Sequence, residues 1–325
     1  MKDKERRFYS ELENTNHKCG FVAILGRPNV GKSTLLNYLN GYELSITSYK
    51  PQTTRDLIRL VLSDEEHQII FLDTPGIHQS KHALDKYMAK AVSVAMQEAD
   101  IFLLMIEADF KPRVEVLEER IGKYANEHGK SLFVLLNKTD AVDKEGMLPL
   151  IAAYSDAMKV DDFIPISAKT GDGVENLLEH IRRYLPEGPP VFSSEDYTNQ
   201  SERDLLAELI RQQLLIQMQE EIPHGTAVHI NDFKEIFDER EGNTESNTLL
   251  VEATIFCERD SQKGMIIGKG GQRIKQIRKF AEKRIRENLA KPCQLKLYVK
   301  VREDWRNKPL DVQKLGYNTA ELDLD

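Results

Sequence analysis

Long apolar runs are what this chain most plainly lacks. No stretch of its 325 residues approaches the roughly 20 apolar residues that span a bilayer. Residues 1–17 are charged where a secretory leader would be apolar, so neither a transmembrane helix nor a signal peptide is expected. Cysteine is scarce too. Cys19, Cys257 and Cys293 show no metal-ligand spacing and cannot all pair, which predicts reduced thiols in a cytoplasmic protein. Positive charge is also short, with 45 Lys and Arg against 53 Asp and Glu and a net charge of −8. That balance argues against a nucleic-acid binder, but only on average. Between Lys263 and Arg286 stand nine basic residues and one acid, Glu282, so this window carries +8 and the remainder −16. Charge concentrated in this way draws RNA to one place and repels it elsewhere.

What is present begins with Gly26-Arg27-Pro28-Asn29-Val30-Gly31-Lys32-Ser33, between the apolar run Phe21-Val22-Ala23-Ile24-Leu25 and the helical stretch opening at Thr34. Buried strand, Gly-rich loop and helix in that order make a phosphate-binding loop. Its glycines let consecutive amides point inward, and the helix start adds unpaired N–H groups and a positive dipole end. Lys32 is expected at the β- and γ-phosphates and Ser33 at a magnesium ion. Further along, Lys50-Pro51-Gln52-Thr53-Thr54-Arg55 offers two hydroxyls to complete the magnesium shell. Thr54 is the first choice and Thr53 the close alternative.

Asp56 to Leu62 reads as an edge strand, and Ile69-Ile70-Phe71-Leu72 as a buried one ending in Asp73-Thr74-Pro75-Gly76. A carboxylate at that strand end is placed to hold magnesium, usually through water, and Gly76 to bring a backbone amide to the γ-phosphate. Lys32, Thr54 and Gly76 form the expected catalytic set; Ser33, Thr54 and Asp73 the metal set. Two more buried strands follow, Ile101 to Ile106 and Leu132 to Leu136. The second runs into Asn137-Lys138-Thr139-Asp140, where the Asp140 carboxylate can accept from both N1–H and the 2-amino group of guanine. Adenine offers neither donor, and a buried carboxylate without its partner costs about 1–3 kcal/mol. Lys138 is expected to pack its stem along the base. After the strand Phe163-Ile164-Pro165-Ile166 come Ser167-Ala168-Lys169, whose Ala168 N–H is expected to donate to guanine O6. Five such signals at strand ends, alternating with helices, predict a doubly wound, mostly parallel α/β sheet.

The stretch Pro186 to Gln200 is rich in proline and polar residues and has no periodicity, so a boundary falls there. Ser201 caps a long helix to about Met218. Strand-like Thr226 to Phe233 and Leu249 to Cys257 follow, then a short helix from Asp260 to Ile267, Gly268-Lys269-Gly270-Gly271, a helix from Gln272 to about Leu289, and a last strand, Leu295 to Val301. The order α-β-β-α-α-β resembles the second topology of the KH fold, an α+β domain whose G-x-x-G loop clamps four nucleotides. The expected RNA contacts are Ile267, Gly268, Lys269, Gly270, Gly271, Arg273 and Lys275. Arg278, Lys279, Lys283, Arg284 and Arg286 ring the rest of that helix. The expected division is an extension over 1–16, a nucleotide domain over 17–187, a linker over 188–200 and the RNA-binding domain with its tail over 201–325.

Taken together, G-R-P-N-V-G-K-S, P-Q-T-T-R, D-T-P-G-I-H, N-K-T-D and S-A-K resemble the translation-factor class of small GTPases and, more specifically, the Era family of ribosome-associated GTPases. The resemblance continues through Glu221-Ile222-Pro223-His224, Asp304-Trp305-Arg306 and Leu315-Gly316-Tyr317, so it covers nearly the whole chain. It departs at Arg278, where the family commonly has glycine, which puts the packing or RNA contacts of that helix in question. The resemblance implies a P-loop GTPase domain followed by a type II KH domain, bound GTP or GDP with magnesium, and the 3′ end of 16S rRNA in the 30S subunit as partner during subunit maturation. A cytoplasmic monomer is expected; peripheral contact with the inner face of the cell membrane stays open.

Many GTPases orient the attacking water with a glutamine directly after D-x-x-G. This chain has Ile77, whose side chain cannot polarise water, so slow intrinsic hydrolysis is expected. His78 reads as a solvent-facing residue. The form G-x-P-N-x-G-K-S resembles GTPases that use potassium as a fixed positive charge, which makes Asn29 the candidate for that role. Two classes of function fit: a GTPase switch coupled to RNA binding, and an RNA-binding assembly factor or cell-cycle scaffold that keeps guanine nucleotide as a structural ligand.

Overall fold

The computed structural model describes residues 17–47, 50, 53–76, 82–108, 113–142, 144–193, 197–219, 222–237, 247–318 and 322. The chain divides into two compact units, one of residues 1–41, 54–78 and 89–199, the other of 42–53, 79–88 and 200–325.

The first unit is built on six strands: β1 (Lys18–Leu25), β2 (Ile58–Ser63), β3 (His67–Asp73), β4 (Ile101–Glu107), β5 (Ser131–Asn137) and β6 (Asp162–Pro165), in the order β2-β3-β1-β4-β5-β6. Every neighbouring pair is parallel except β2 with β3. The connecting helices are α1 (Lys32–Asn40), α2 (Ala83–Glu98), α3 (Val116–Glu127), α4 (Leu148–Ala157) and α5 (Val174–Tyr184). In β4 every residue from Ile101 to Ile106 is fully buried, the continuous apolar run required of a strand covered on both faces. Strand order reverses between β1 and β4, so a crevice opens at their carboxyl ends. The loop from Gly26 to Gly31 lies there.

The expected linker is not free chain. Residues 187–193 and 197–199 belong to the first unit, and Val191, Phe192, Tyr197 and Thr198 bond to its sheet. Val61 N–H donates to Tyr197 O at 3.0 Å, and Thr198 makes an antiparallel bridge with Leu60, so the open side of edge strand β2 is paired. Gln68, buried in β3, holds the same segment: its Oε1 accepts from the N–H groups of Val191 and Phe192 at 2.8 and 2.9 Å, and its Nε2 donates to Phe192 O at 2.8 Å. The division by contacts falls at 199/200, at the end of the expected linker 188–200.

The second unit carries α6 (Glu202–Gln217), β7 (Ala227–Phe237), β8 (Asn247–Cys257), α7 (Asp260–Ile267), α8 (Gln272–Leu289), β9 (Cys293–Val301) and α9 (Pro309–Lys314). Strand β8 is central, antiparallel to β7 and parallel to β9, which gives the expected order α-β-β-α-α-β. Ser201 caps α6 with a reciprocal box to Asp204. Leu206, Leu209, Ile210 and Leu214 of α6 and Ile277, Ala281 and Ile285 of α8 meet Ile230, Val251 and Ile255 of the sheet in one buried core. The single tryptophan, Trp305, is fully buried and donates through Nε1 to Gly225 O at 2.9 Å, seating the turn before α9. Among the described residues no helix is long and apolar enough to cross a membrane.

Candidate functional site

At the carboxyl end of β1 the chain turns through Gly26 to Gly31 into α1. Gly31 has φ of 110°, and a Cβ there would stand 2.2 Å from Asn137 Nδ2, so the position requires glycine. Lys32 is buried and curls back to donate to the carbonyls of Gly26 and Arg27 at 3.2 and 3.1 Å. Burial pushes its ammonium down to about 8, against the pull of the Asp73 carboxylate. An anionic ligand would relieve that desolvation cost.

Beside Lys32 three oxygens converge from three segments. Ser33 Oγ lies 2.8 Å from Thr54 Oγ1 and donates to Asp73 Oδ2 at 3.0 Å, and Thr54 Oγ1 is 3.5 Å from the same carboxylate oxygen. Thr53 turns the other way, its hydroxyl donating to Lys50 O at 2.8 Å. The two threonines that the sequence left as alternatives are thus separated. Thr74 Oγ1 donates to Ile24 O at 2.8 Å and ties the end of β3 to β1, a contact inside the sheet. Pro75 and Gly76 are buried, and Gly76 lies against Pro28 of the loop. Asn29 is exposed, with a left-handed φ of 66°.

The end of β5 supplies the other wall. Asn137 is buried and bridges two loops: its Nδ2 donates to Val30 O at 2.6 Å and its Oδ1 accepts from Ala168 N–H at 2.9 Å. The Ala168 amide expected at guanine O6 donates here to Asn137. Asp140 is exposed and its Oδ1 accepts from Ser167 Oγ at 2.9 Å, which orients the carboxylate. Lys138, with φ of 69°, pairs with Glu107 at the end of β4, while Lys169 is exposed. Ile77 and His78 lie outside the described residues, as do Pro51, Gln52 and Glu221.

One group had no signal in the motifs. Glu118 on α3, only 1% exposed, stands 2.9 Å from Arg27 Nε of the loop. Its other oxygen accepts from Tyr154 OH at 2.5 Å and from Glu115 N–H at 3.0 Å, the second being half of a capping box at the start of α3. Burial and the Glu118 carboxylate push the Tyr154 phenol up, so it remains a donor. The Glu115-x-x-Glu118 spacing reveals the cap but not the arginine. Glu118→Gln is expected to cost about 1–2 kcal/mol in urea unfolding, discounted from a fully buried pair because the Arg27 side chain is 38% exposed. A double-mutant cycle with Arg27→Gln reads the coupling; strictly additive losses would rule the ion pair out.

In the second unit Gly268 (φ 72°) follows α7, and Gly271 (φ 74°) begins α8 with no side-chain cap, so the first amides of α8 face outward with Lys269 and Arg273. Arg273 Nη1 donates to Met265 O at 3.2 Å, a contact across the loop. Ile267 is half-buried, whereas Lys275 is exposed. Arg278 is half exposed and 3.9 Å from Glu282, so the residue that replaces glycine leaves the buried seam of Ile277, Ala281 and Ile285 intact.

Residues 21–138 match the family model described as 50S ribosome-binding GTPase, and residues 221–306 match the KH domain. GTPase Era of Ruminiclostridium cellulolyticum is 40% identical over 94% of this chain and 99% of its own length. That of Clostridium acetobutylicum is 42% identical, again over 94% of this chain and 99% of the relative. The chain belongs to the GTPase Era family. Among solved Era structures, a point variant of the Aquifex aeolicus protein bound to GDP·AlF4− superposes with a TM-score of 0.84 at 38% identity, covering 92% of this chain and 99% of the other. Era in complex with MgGDPNP and nucleotides 1506–1542 of 16S ribosomal RNA gives 0.83 at 38% identity, covering 93% and 99%. The architecture is that of Era, a P-loop GTPase domain followed by a KH domain.

Proposed function

We propose that this Era GTPase binds GTP between the loop 26–34 and the 137–140 and 167–169 segments, hydrolyses it to GDP and phosphate, and binds 16S rRNA near its 3′ end through residues 267–275. The work is small ribosomal subunit assembly in the cytoplasm, with the 30S subunit as partner. The observation that carries the reading is the meeting of Ser33, Thr54 and Asp73 beside a buried lysine at the carboxyl edge of a doubly wound sheet.

Two hydroxyls and a carboxylate are hard oxygen donors, the set magnesium takes. Ser33 and Thr54 would hold it directly and Asp73 through water. Magnesium supplies neutralisation of charge on the β- and γ-phosphate oxygens. Lys32 adds a second positive charge to the same phosphates, and the amide of Gly76, carried beside Pro28, fixes the γ-phosphate. Asp140, set by Ser167, selects guanine. Asn137 joins the phosphate loop to the base-binding segment, so it positions both. Asn29, exposed in the loop, is the residue offered to potassium.

Phosphate release from GTP tests the reading. It should be slow alone, rise several-fold when potassium replaces sodium, and rise again with RNA; no release in any combination would leave a binding module only. Thr54→Ala should raise the magnesium requirement roughly 10-fold or more, while Thr53→Ala should not move it. Equal effects of the two would remove the assignment of Thr54.

A further inference from the structure

Two turns beyond the Gly268–Gly271 loop, the solvent side of α8 changes character. Lys279, Lys283 and Arg286 recur at spacings of four and three, which places them on one face. Phe280 stands at the border between that face and the buried seam of Ile277, Ala281 and Ile285, and is 48% exposed. With Pro292, Cys293 and one carboxylate, Glu282, these side chains line a cavity of about 310 Å³, at the small end of ligand-sized cavities and enough for one flat ring. Burial, reinforced by Glu282, pushes the Cys293 thiol up to about 12, so that wall stays uncharged.

The acids nearby are already engaged. Glu282 accepts from Leu295 N–H at 2.9 Å and faces Arg278 at 3.9 Å. Glu287 pairs with Arg284 at 3.2 Å and, at 3.6 Å, with Lys283. Among the described residues no carboxylate pairs with Lys279 or Arg286. A half-exposed aromatic side chain beside three cations, with the one carboxylate of the lining already engaged, on a chain whose net charge is −8, is complementary to an anion that carries its own flat π system. Single-stranded RNA has both. A lipid surface offers anionic headgroups but nothing to fill a concave site around one ring.

We propose that this cavity is a second single-stranded RNA contact, separate from the glycine loop, in which Phe280 stacks one unpaired base while Lys279, Lys283 and Arg286 hold the neighbouring phosphates. It rests on the reading of the loop as an RNA clamp and extends the footprint past the four nucleotides such a loop takes. The register of α8 links the two contacts, because the helix that starts at the clamp presents the second face about 10–20 Å further along its axis.

The test uses the full chain, an RNA of nucleotides 1506–1542 of 16S rRNA, and hexamers tiled from it. Phe280→Ala and Phe280→Leu should each weaken the long RNA about 10-fold and leave the tightest hexamer unchanged; leucine keeps the bulk and lacks the π face. Lys279→Gln, Lys283→Gln and Arg286→Gln combined should lower the slope of log affinity against log salt by about 2 for the long RNA only. Unchanged long-RNA binding in both sets overturns the proposal, and so does a parallel loss of hexamer binding, since the two contacts would then be one. If no hexamer binds wild type while the long RNA still responds to Phe280, the second face stands and the reading of the loop fails. Loss of binding to phosphatidylglycerol vesicles without loss of RNA would assign the face to a membrane and overturn it.

Discussion

Asp140→Asn should weaken GTP by about 10²- to 10⁴-fold and create affinity for xanthosine triphosphate. The carboxylate accepts from two guanine donors, N1–H and the 2-amino group, and hydrogen bonds to a charged acceptor contribute about 1.5–3 kcal/mol each. Losing both, at 1.4 kcal/mol per decade, sets the range. The asparagine amide places an N–H donor against one of those guanine donors. Xanthine carries a carbonyl where guanine carries the amino group, so the same N–H finds an acceptor there. Ser167 already orients the side chain through Oδ1 at 2.9 Å, and the residue is exposed, so the unfolding midpoint of the nucleotide-free protein should hardly move. Competition between labelled GTP and unlabelled GTP, XTP and ATP measures all of this. A variant that keeps GTP affinity would mean that guanine is read elsewhere.

Gly268→Asp is expected to abolish RNA binding, with a loss of at least about 100-fold. The backbone φ of 72° disfavours any L side chain, and a Cβ would lie 2.7 Å from Arg273 Cβ, so the first turn of α8 has to shift. A carboxylate is added where phosphates approach. Gly271→Asp shares the charge and the left-handed φ of 74° but has open space around its Cβ, so its loss should be smaller. Titration of both variants with the same labelled RNA isolates the clash with Arg273, which only the first variant makes. Equal losses would assign the effect to what the two share, the added charge and the left-handed backbone.

What could be read from the residues alone was whatever depends on short spacing. The loop from Gly26 to Ser33, Asp73 at a strand end, Asp140 after β5 and the Gly268–Gly271 turn are each fixed within a few residues of their own element, and they fall where expected. Adjacent hydroxyls could not be separated in this way. In extended chain, neighbouring side chains point to opposite sides, and only the fold shows that Thr54 turns toward Ser33 while Thr53 turns toward Lys50.

Partners distant in sequence were invisible for the same reason. Glu118 meets Arg27 and Tyr154 across three elements, and nothing near any of them marks the meeting. Residues 188–200 read as a linker because proline and polar composition describes what a segment lacks; the attachment of Val191 and Phe192 depends on Gln68, more than a hundred positions earlier. Ala168 shows a subtler limit. Its place beside the base-binding segment was legible, yet its amide goes to Asn137, a choice made by the depth at which that side chain is buried.

Crosslinking in cells, followed by sequencing of the RNA recovered with the protein, shows whether this guanine-nucleotide enzyme reaches ribosomal RNA through the glycine loop of its KH domain. Wild-type protein should enrich the 3′ end of 16S rRNA, and Gly268→Asp protein present at the same level should lose that enrichment. Equal recovery of the 3′ end with both proteins, or enrichment of unrelated RNA by the wild type, would contradict the account.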